Sequence, residues 1–202
     1  RDLKPDNIGF DKNGILKVFD FDIARHVNVE STKYESTTRS IRKMKAEDET
    51  FHMTQKVGSP RYMSPECARR EPYNLKADVY SYGLLFHQIM TLQKPYDDIS
   101  DDNHDDYVFY KHVRPSIPID LPSTIKQLLQ CSWSSIISNR PTMSNMNRIL
   151  KKEKKEILRL GCCNSVTTTT PTTAKTTTTT MSYVSSCSFL SISDCNVIVI
   201  KK

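Results

Sequence analysis

The chain has 202 residues, enough for one domain with a real core and a tail, and 37% of them are hydrophobic, as in a globular protein. The net charge of +6 is modest and scattered, part of it in "KKEKKEILR" from Lys151, which reads as a solvated helix end and argues against a nucleic-acid partner. The longest apolar runs, Leu84-Leu85-Phe86 and residues 197–200, are far too short to span a bilayer. Six cysteines, at positions 67, 131, 162, 163, 187 and 195, show no C-x-x-C spacing and no nearby histidine completes a zinc pattern. Reduced thiols in an intracellular, cytoplasmic protein are the expectation.

In chain order, the first segment is "RDLKPDN". Asp2 and Asn7 stand five apart, and Pro5 keeps the stretch between them from being a regular helix. "NIGFDKNGILKVF" then reads as a β-hairpin: two short apolar runs flank residues 11–14, and Asn13-Gly14 favours a tight turn. Asp20 follows the second strand, so the hairpin can fold it back beside Asp2 and Asn7. Three oxygen-bearing side chains would then converge, and magnesium takes oxygen ligands, commonly one or two carboxylates plus phosphate oxygens. For any one of these aspartates alone, a turn or capping role is the simpler reading.

Residues 24–57 are polar, rich in Ser and Thr and without clear period, the pattern of a functional loop or of disorder. Residues 77–90, "ADVYSYGLLFHQIM", are apolar on most sides and predict a buried helix. "DDISDDNHDD", residues 97–106, is an acidic cluster; a solvated loop is expected there rather than a metal site around His104. Residues 123–131 have a helical period, with Ser123 a cap candidate after Pro122. Trp133 belongs in the core. Met143, Met146, Ile149 and Leu150 share one stripe of a helix over 142–158, with Pro141 just before it. From about residue 160 a Thr-rich tract offers little apolar surface to bury and should stay disordered, and the closing "NVIVIKK" reads as an unanchored end.

Taken jointly, the motifs resemble the eukaryotic protein kinase family. "RDLKPDN" is similar to its catalytic loop, "FDFDIAR" to its magnesium-binding segment, "GSPRYMSPE" to the end of its activation segment, and "ADVYSYG" and "NRPTM" to two later landmarks in the right order. "RPSIPIDLP" and "NRPTM" lean toward the tyrosine-kinase-like branch. The resemblance implies an α+β fold: a kinase C-terminal lobe, mainly helical, with a small hairpin carrying the catalytic loop and magnesium segment, the N-terminal lobe absent. It divides the chain into a partial kinase domain at 1–159, with a long activation segment at about 20–66 that suggests an insertion, and a tail at 160–202.

The resemblance also implies roles. Asp2 would accept or orient the proton of a substrate hydroxyl, and Asn7 and Asp20 would hold magnesium ions bridging the phosphates of ATP. Lys4 would sit near the transferred phosphate, and Ser59, where the family usually has Thr, would bridge Asp2 and Lys4. Both positions favour Ser and Thr over Tyr as acceptors on a protein substrate. Arg1 would pair with a phosphate on the activation segment, with Thr54 the first candidate acceptor. Glu66 and Arg140 would form a buried ion pair, and Asp78 would brace the catalytic-loop backbone. Two positions depart from the pattern. Asp22 replaces a glycine of the magnesium segment and adds a carboxylate beside Asp20. Gly9 falls where an apolar side chain usually packs under the adenine, so that contact would be lost. A catalytically impaired scaffold or binding module is therefore the alternative reading, and the 202 residues alone are expected to be inactive.

Overall fold

The computed structural model describes residues 1–25, 50–54 and 56–163. Pro5 opens a single 3-10 turn, Pro5–Asn7, as its fixed φ favours at a first helical position. Strands β1 (Ile8–Phe10) and β2 (Leu16–Val18) follow and pair antiparallel, with Ile8 opposite Val18 and Phe10 opposite Leu16. The turn is built on Asp11, whose Oδ1 accepts the backbone N–H groups of Asn13 and Ile15 at 2.8 and 2.9 Å. Gly14 supplies the left-handed residue, φ 74°. The hairpin is the one its sequence predicts.

The helical part is built around α2. A short helix, α1 (Pro65–Ala68), precedes it. Helix α2 (Lys76–Thr91) is buried throughout 79–87 and reaches the surface in its last turn at Ile89; Tyr80 and Leu84 are fully inaccessible. That is the expected outcome for a sequence apolar on all sides. It ends on Leu92 in the left-handed conformation, whose N–H bonds the Gln88 carbonyl at 2.8 Å. Against α2 lies α4 (Ser123–Ser132), contributing Ile125, Leu128 and Leu129 to the core. The two helices meet closely at Gly83, where a Cβ would stand 2.1 Å from Ser132 Oγ. Helix α5 (Met143–Cys163) closes the core through Met146, with Met143, Ile149 and Leu150 partly buried beside it. Trp133 is buried, edge-on to His87.

Three details differ from expectation. Residues 97–106 are not a loop throughout: α3 (Asp101–His104) runs into a π-helical turn, Asp105–Tyr110. The aspartates do face solvent, but His104 is buried edge-on between Tyr96 and Phe109, so one apolar face holds the segment helical. Among the described residues no cluster of three His, Cys, Asp or Glu side chains could hold a metal ion. Ser123 does not cap α4; it is already helical, and Pro122 occupies the capping position without a side-chain bond. The side-chain cap appears at α5 instead, where Thr142 Oγ1 accepts the Asn145 N–H at 3.2 Å. Helix α5 also runs to Cys163, past the point where the composition places the start of the tail. The rest of that tail and most of the polar stretch 24–57 lie outside the described residues.

Candidate active site

The 3-10 turn carries Asn7 back over Asp2. Asn7 Nδ2 donates to the Asp2 carbonyl at 2.9 Å and to Asp2 Oδ2 at 3.2 Å. Lys4 Nζ donates to the same Oδ2 and to Ser59 Oγ, both at 2.8 Å. The Ser59 backbone N–H closes the ring on Asp2 Oδ1 at 2.8 Å. A carboxylate has about four lone-pair sites. Lys4, Asn7 and the Ser59 N–H donate to those on Asp2, so its plane is fixed. Burial alone pushes the Asp2 carboxyl up; the Lys4 ammonium and the Ser59 hydroxyl and N–H outweigh it and hold the group below its ordinary value. Lys4 is pushed up in turn, chiefly by its bond to Asp2.

Ser59 reaches Asp2 because Gly58 precedes it. Gly58 has φ +99°, and a Cβ there would lie 2.5 Å from the Arg1 carbonyl oxygen. Only glycine permits both the conformation and the approach. Asp20 is delivered by the hairpin: the Phe19 N–H bonds the Asn7 carbonyl at 2.8 Å, tying the end of β2 to the 3-10 turn. Asp20 itself is left-handed, φ 55°, a conformation Asp tolerates better than most residues. Asp2 and Asp20 line one cleft of about 230 Å³, together with Val18, Ile23, Met53 and Asp78. Asn7 is thus bonded to Asp2, and Asp20 lines the same cleft as Asp2.

Asp22 is not strained. Positive φ falls on Asp20, not on Asp22, and the Asp22 N–H donates to Asp20 Oδ1 at 3.3 Å. The conformational freedom of glycine is not required at that position. At Gly9 a Cβ would stand 3.0 Å from the Phe19 ring, so the ring borders the space that a side chain would take.

Behind the carboxylates lies a bracing layer. The Arg1 backbone nitrogen is 3.1 Å from Asp78 Oδ1 at the start of α2. The Arg1 guanidinium bonds three protein groups through Nε and Nη1: the Ile23 carbonyl at 2.7 Å, the Thr54 carbonyl at 3.1 Å and Tyr73 Oη at 2.7 Å. Thr54 is exposed, and its hydroxyl accepts from Arg25 Nη2 at 3.0 Å. Farther out, Arg140 and Glu66 form a fully buried bidentate pair, at 2.6 and 2.7 Å.

Residues 1–153 match the family model described as protein kinase domain. The chain belongs to the protein kinase family. It is similar to serine/threonine-protein kinase STY46 of Arabidopsis thaliana, 32% identical over 157 residues, 78% of this chain and 24% of that protein. It is similar also to dual specificity protein kinases shkB and shkA of Dictyostelium discoideum. The first is 30% identical over 149 residues, 73% of this chain and 20% of that protein. The second is 32% identical over 166 residues, 81% of this chain and 27% of that protein. The chain thus spans about a quarter of the length of these relatives.

Three residues of this kinase domain's site escape sequence reasoning. Tyr73, 1% exposed, bonds both Arg1 and the Thr54 carbonyl and pairs by backbone with Phe51. Nothing local in "EPYNLK" signals a partner far back in the chain. Arg25 was legible only as the last letter of "FDFDIAR". Phe19 could have been found from the hairpin register, since Gly9 pairs with Lys17 and Phe19 follows on the same face.

Proposed function

We propose that this chain is the C-terminal lobe of a serine/threonine protein kinase, transferring the γ-phosphoryl group of ATP to Ser or Thr hydroxyls of a protein substrate. The observation that carries the reading is the closed ring of Asp2, Lys4, Asn7 and Ser59, with Asp20 lining a cleft that Asp2 also lines. Phosphoryl transfer needs little covalent help and much positioning, and this ring is a positioning device. Asp2, its plane fixed by these donors, would accept the substrate O–H and aim its oxygen. A carboxyl held below its ordinary value acts here more by orienting that hydroxyl than as a strong base. Lys4, fixed by Asp2 and Ser59, would present its ammonium to the transferred phosphate.

The donor set suits magnesium. Asn7 spends its amide N–H groups on Asp2, which leaves its oxygen as the free acceptor, and Asp20 adds a carboxylate. One amide and one carboxylate oxygen match an ion that keeps waters and phosphate oxygens in its other positions. When bound, the ion would neutralise phosphate charge. Thr54, beside Arg25 and Arg1, is the proposed phosphate acceptor of the activation segment; two guanidinium groups in reach would order a phosphorylated loop. The domain organisation proposed is a kinase region to about residue 159 followed by a tail. The impaired-scaffold alternative rests on the carboxylate that Asp22 adds beside Asp20 and on the side chain that Gly9 lacks, not on backbone strain, since Asp22 has no positive φ.

The test is a magnesium-dependent phosphorylation assay on the full-length protein with Ser/Thr peptides. The expected result is activity lost in Asp20→Ala and lowered about 10²- to 10⁴-fold in kcat by Asp2→Asn, with phosphate on Thr54 in the active protein by mass spectrometry. Activity that survives Asp20→Ala would refute the roles assigned, and a protein inactive with every Ser/Thr peptide would return the scaffold reading.

A further inference from the structure

Helix α5 has two unlike faces. Met146, Ile149 and Leu150 pack toward the core. On the other side Arg148, Lys151, Lys152, Lys155 and Arg159 are all exposed. At 3.6 residues per turn their spacing puts the five within an arc of about 100°. The backbone stays helical to Cys163. Positions 162 and 163 stand three and four residues after Arg159, so they continue the same face, within an arc of about 120° in all. One carboxylate borders the stripe: Glu156 accepts from Arg159 Nη2 at 2.7 Å. Leu158 flanks it and is itself exposed. A helix dipole favours cations only in the last turn. This stripe runs for about three turns, so the dipole does not account for it.

We propose that α5 lays this cationic face on an anionic phospholipid surface, with Cys162 and Cys163 as the S-acylation sites that anchor it there. A cationic face alone suits any polyanion; the two adjacent thiols at its end favour lipid. One acyl chain gives only marginal, reversible attachment, and stable anchoring takes a second chain or a polybasic patch. The end of α5 offers both, on one face. The modification is an acyl transfer from a long-chain acyl-coenzyme A thioester. The cysteine sulfur bonds the acyl carbon, the bond from that carbon to the coenzyme sulfur breaks, and the thiol proton leaves with the coenzyme thiol, so nothing is oxidised or reduced. Attachment of this kind is peripheral, and among the described residues no helix is long and apolar enough to cross a membrane. None of these residues belongs to the Asp2 ring, so the proposal stands apart from the phosphoryl-transfer reading.

The test has two arms, both on the full-length protein. In the first, protein isolated from its own cells is treated with hydroxylamine, which cleaves thioesters, and the peptide holding Cys162 and Cys163 is weighed before and after. The expected result is the loss of a long-chain acyl mass, and in cells the double variant Cys162→Ser, Cys163→Ser should leave the membrane fraction. In the second, unacylated protein is sedimented with vesicles of phosphatidylcholine alone or of equal parts phosphatidylcholine and phosphatidylserine. It should bind the mixed vesicles more tightly, and less so as salt is raised. Each Lys or Arg near such a surface contributes about 5-fold, so the triple variant Arg148→Gln, Lys152→Gln, Lys155→Gln should weaken binding by about 10²-fold. Its unfolding midpoint should not move, since the three side chains are exposed. No thioester-linked acyl group on either cysteine overturns the proposal. So does equal binding to the two vesicles, or a triple variant that binds as the wild type does. Tighter binding to duplex DNA than to the mixed vesicles overturns it too and assigns the face to nucleic acid.

Discussion

Replacing Arg140 by alanine tests the packing logic of the whole helical part. Arg140 is 1% exposed and Glu66 2%, so neither charge has water to fall back on. The guanidinium donates to both Glu66 oxygens, to the Lys76 carbonyl at 3.2 Å and to the Ser134 carbonyl at 2.8 Å, and it lies 5.1 Å from the centre of the Tyr80 ring. One side chain therefore links α1, the start of α2 and the segment after α4. Arg140→Ala leaves a buried carboxylate without its cation, and the cost of such a broken pair is about 3–5 kcal/mol. At roughly 2–4 °C per kcal/mol for a domain of this size, the midpoint should fall by about 6–20 °C. Glu66→Ala should cost less, because the stranded guanidinium keeps two carbonyls and the Tyr80 face. Replacing both residues with methionine should recover part of the loss, since neither charge remains buried alone. The assay is thermal unfolding followed by circular dichroism and by the fluorescence of Trp133, the single tryptophan of the chain. A shift of the Arg140→Ala midpoint no larger than that of an exposed substitution, or a double variant as unstable as the sum of the singles, would refute the reasoning.

Gly83→Ala should destabilise despite the better helix propensity of alanine. Propensity favours Ala by about 1 kcal/mol, but the new Cβ would meet Ser132 Oγ at 2.1 Å and Ser132 Cβ at 2.9 Å, a clash between two packed helices worth about 1–3 kcal/mol. Pairing it with Ser132→Gly should restore part of the midpoint in the same unfolding assay, and no restoration would show that the clash lies elsewhere. The Asp2 cluster carries a pH signature. A carboxyl held below its ordinary value contributes stability that is present above the unfolded value and is lost as pH falls through the folded one. The stability gap between wild type and Asp2→Asn, measured by denaturant unfolding, should therefore be full at pH 7 and narrow below about pH 4. A gap that widens on acidification would mean that the donors around Asp2 do not hold its charge.

The parts of the fold legible in the sequence are those whose signals are local. Asn13-Gly14 between two short apolar runs specifies the hairpin, and the unbroken apolarity of 77–90 specifies a helix buried on all sides. The grouping around Asp2 was legible for a different reason: Asp2, Lys4 and Asn7 lie within one turn, and the hairpin returns Phe19, next to Asp20, to the Asn7 carbonyl. What sequence reading misses are contacts that only tertiary packing creates. The acidic run at 97–106 reads as solvated charge, yet its part from Asp101 on is helical, with a single histidine buried between two aromatics. Tyr73 is silent in sequence because its partners, Arg1 and Thr54, are reached only once Phe51 pairs with it across the surface.

The two departures from the family pattern illustrate the same physics at the site itself. A glycine in a motif is informative when the backbone there is left-handed or crowded, and neither holds at position 22, whereas both hold at Gly58. Asp22 is thus a change of charge without a change of shape, and its N–H still serves Asp20. Gly9 is the reverse case, a change of shape without a change of charge, and the Phe19 ring lies 3.0 Å from where its Cβ would be. The ring of bonds around Asp2 passes through neither residue. Substitutions at 9 and 22 can therefore tune what the site binds while the group that would orient the acceptor hydroxyl stays where Lys4, Asn7 and Ser59 hold it.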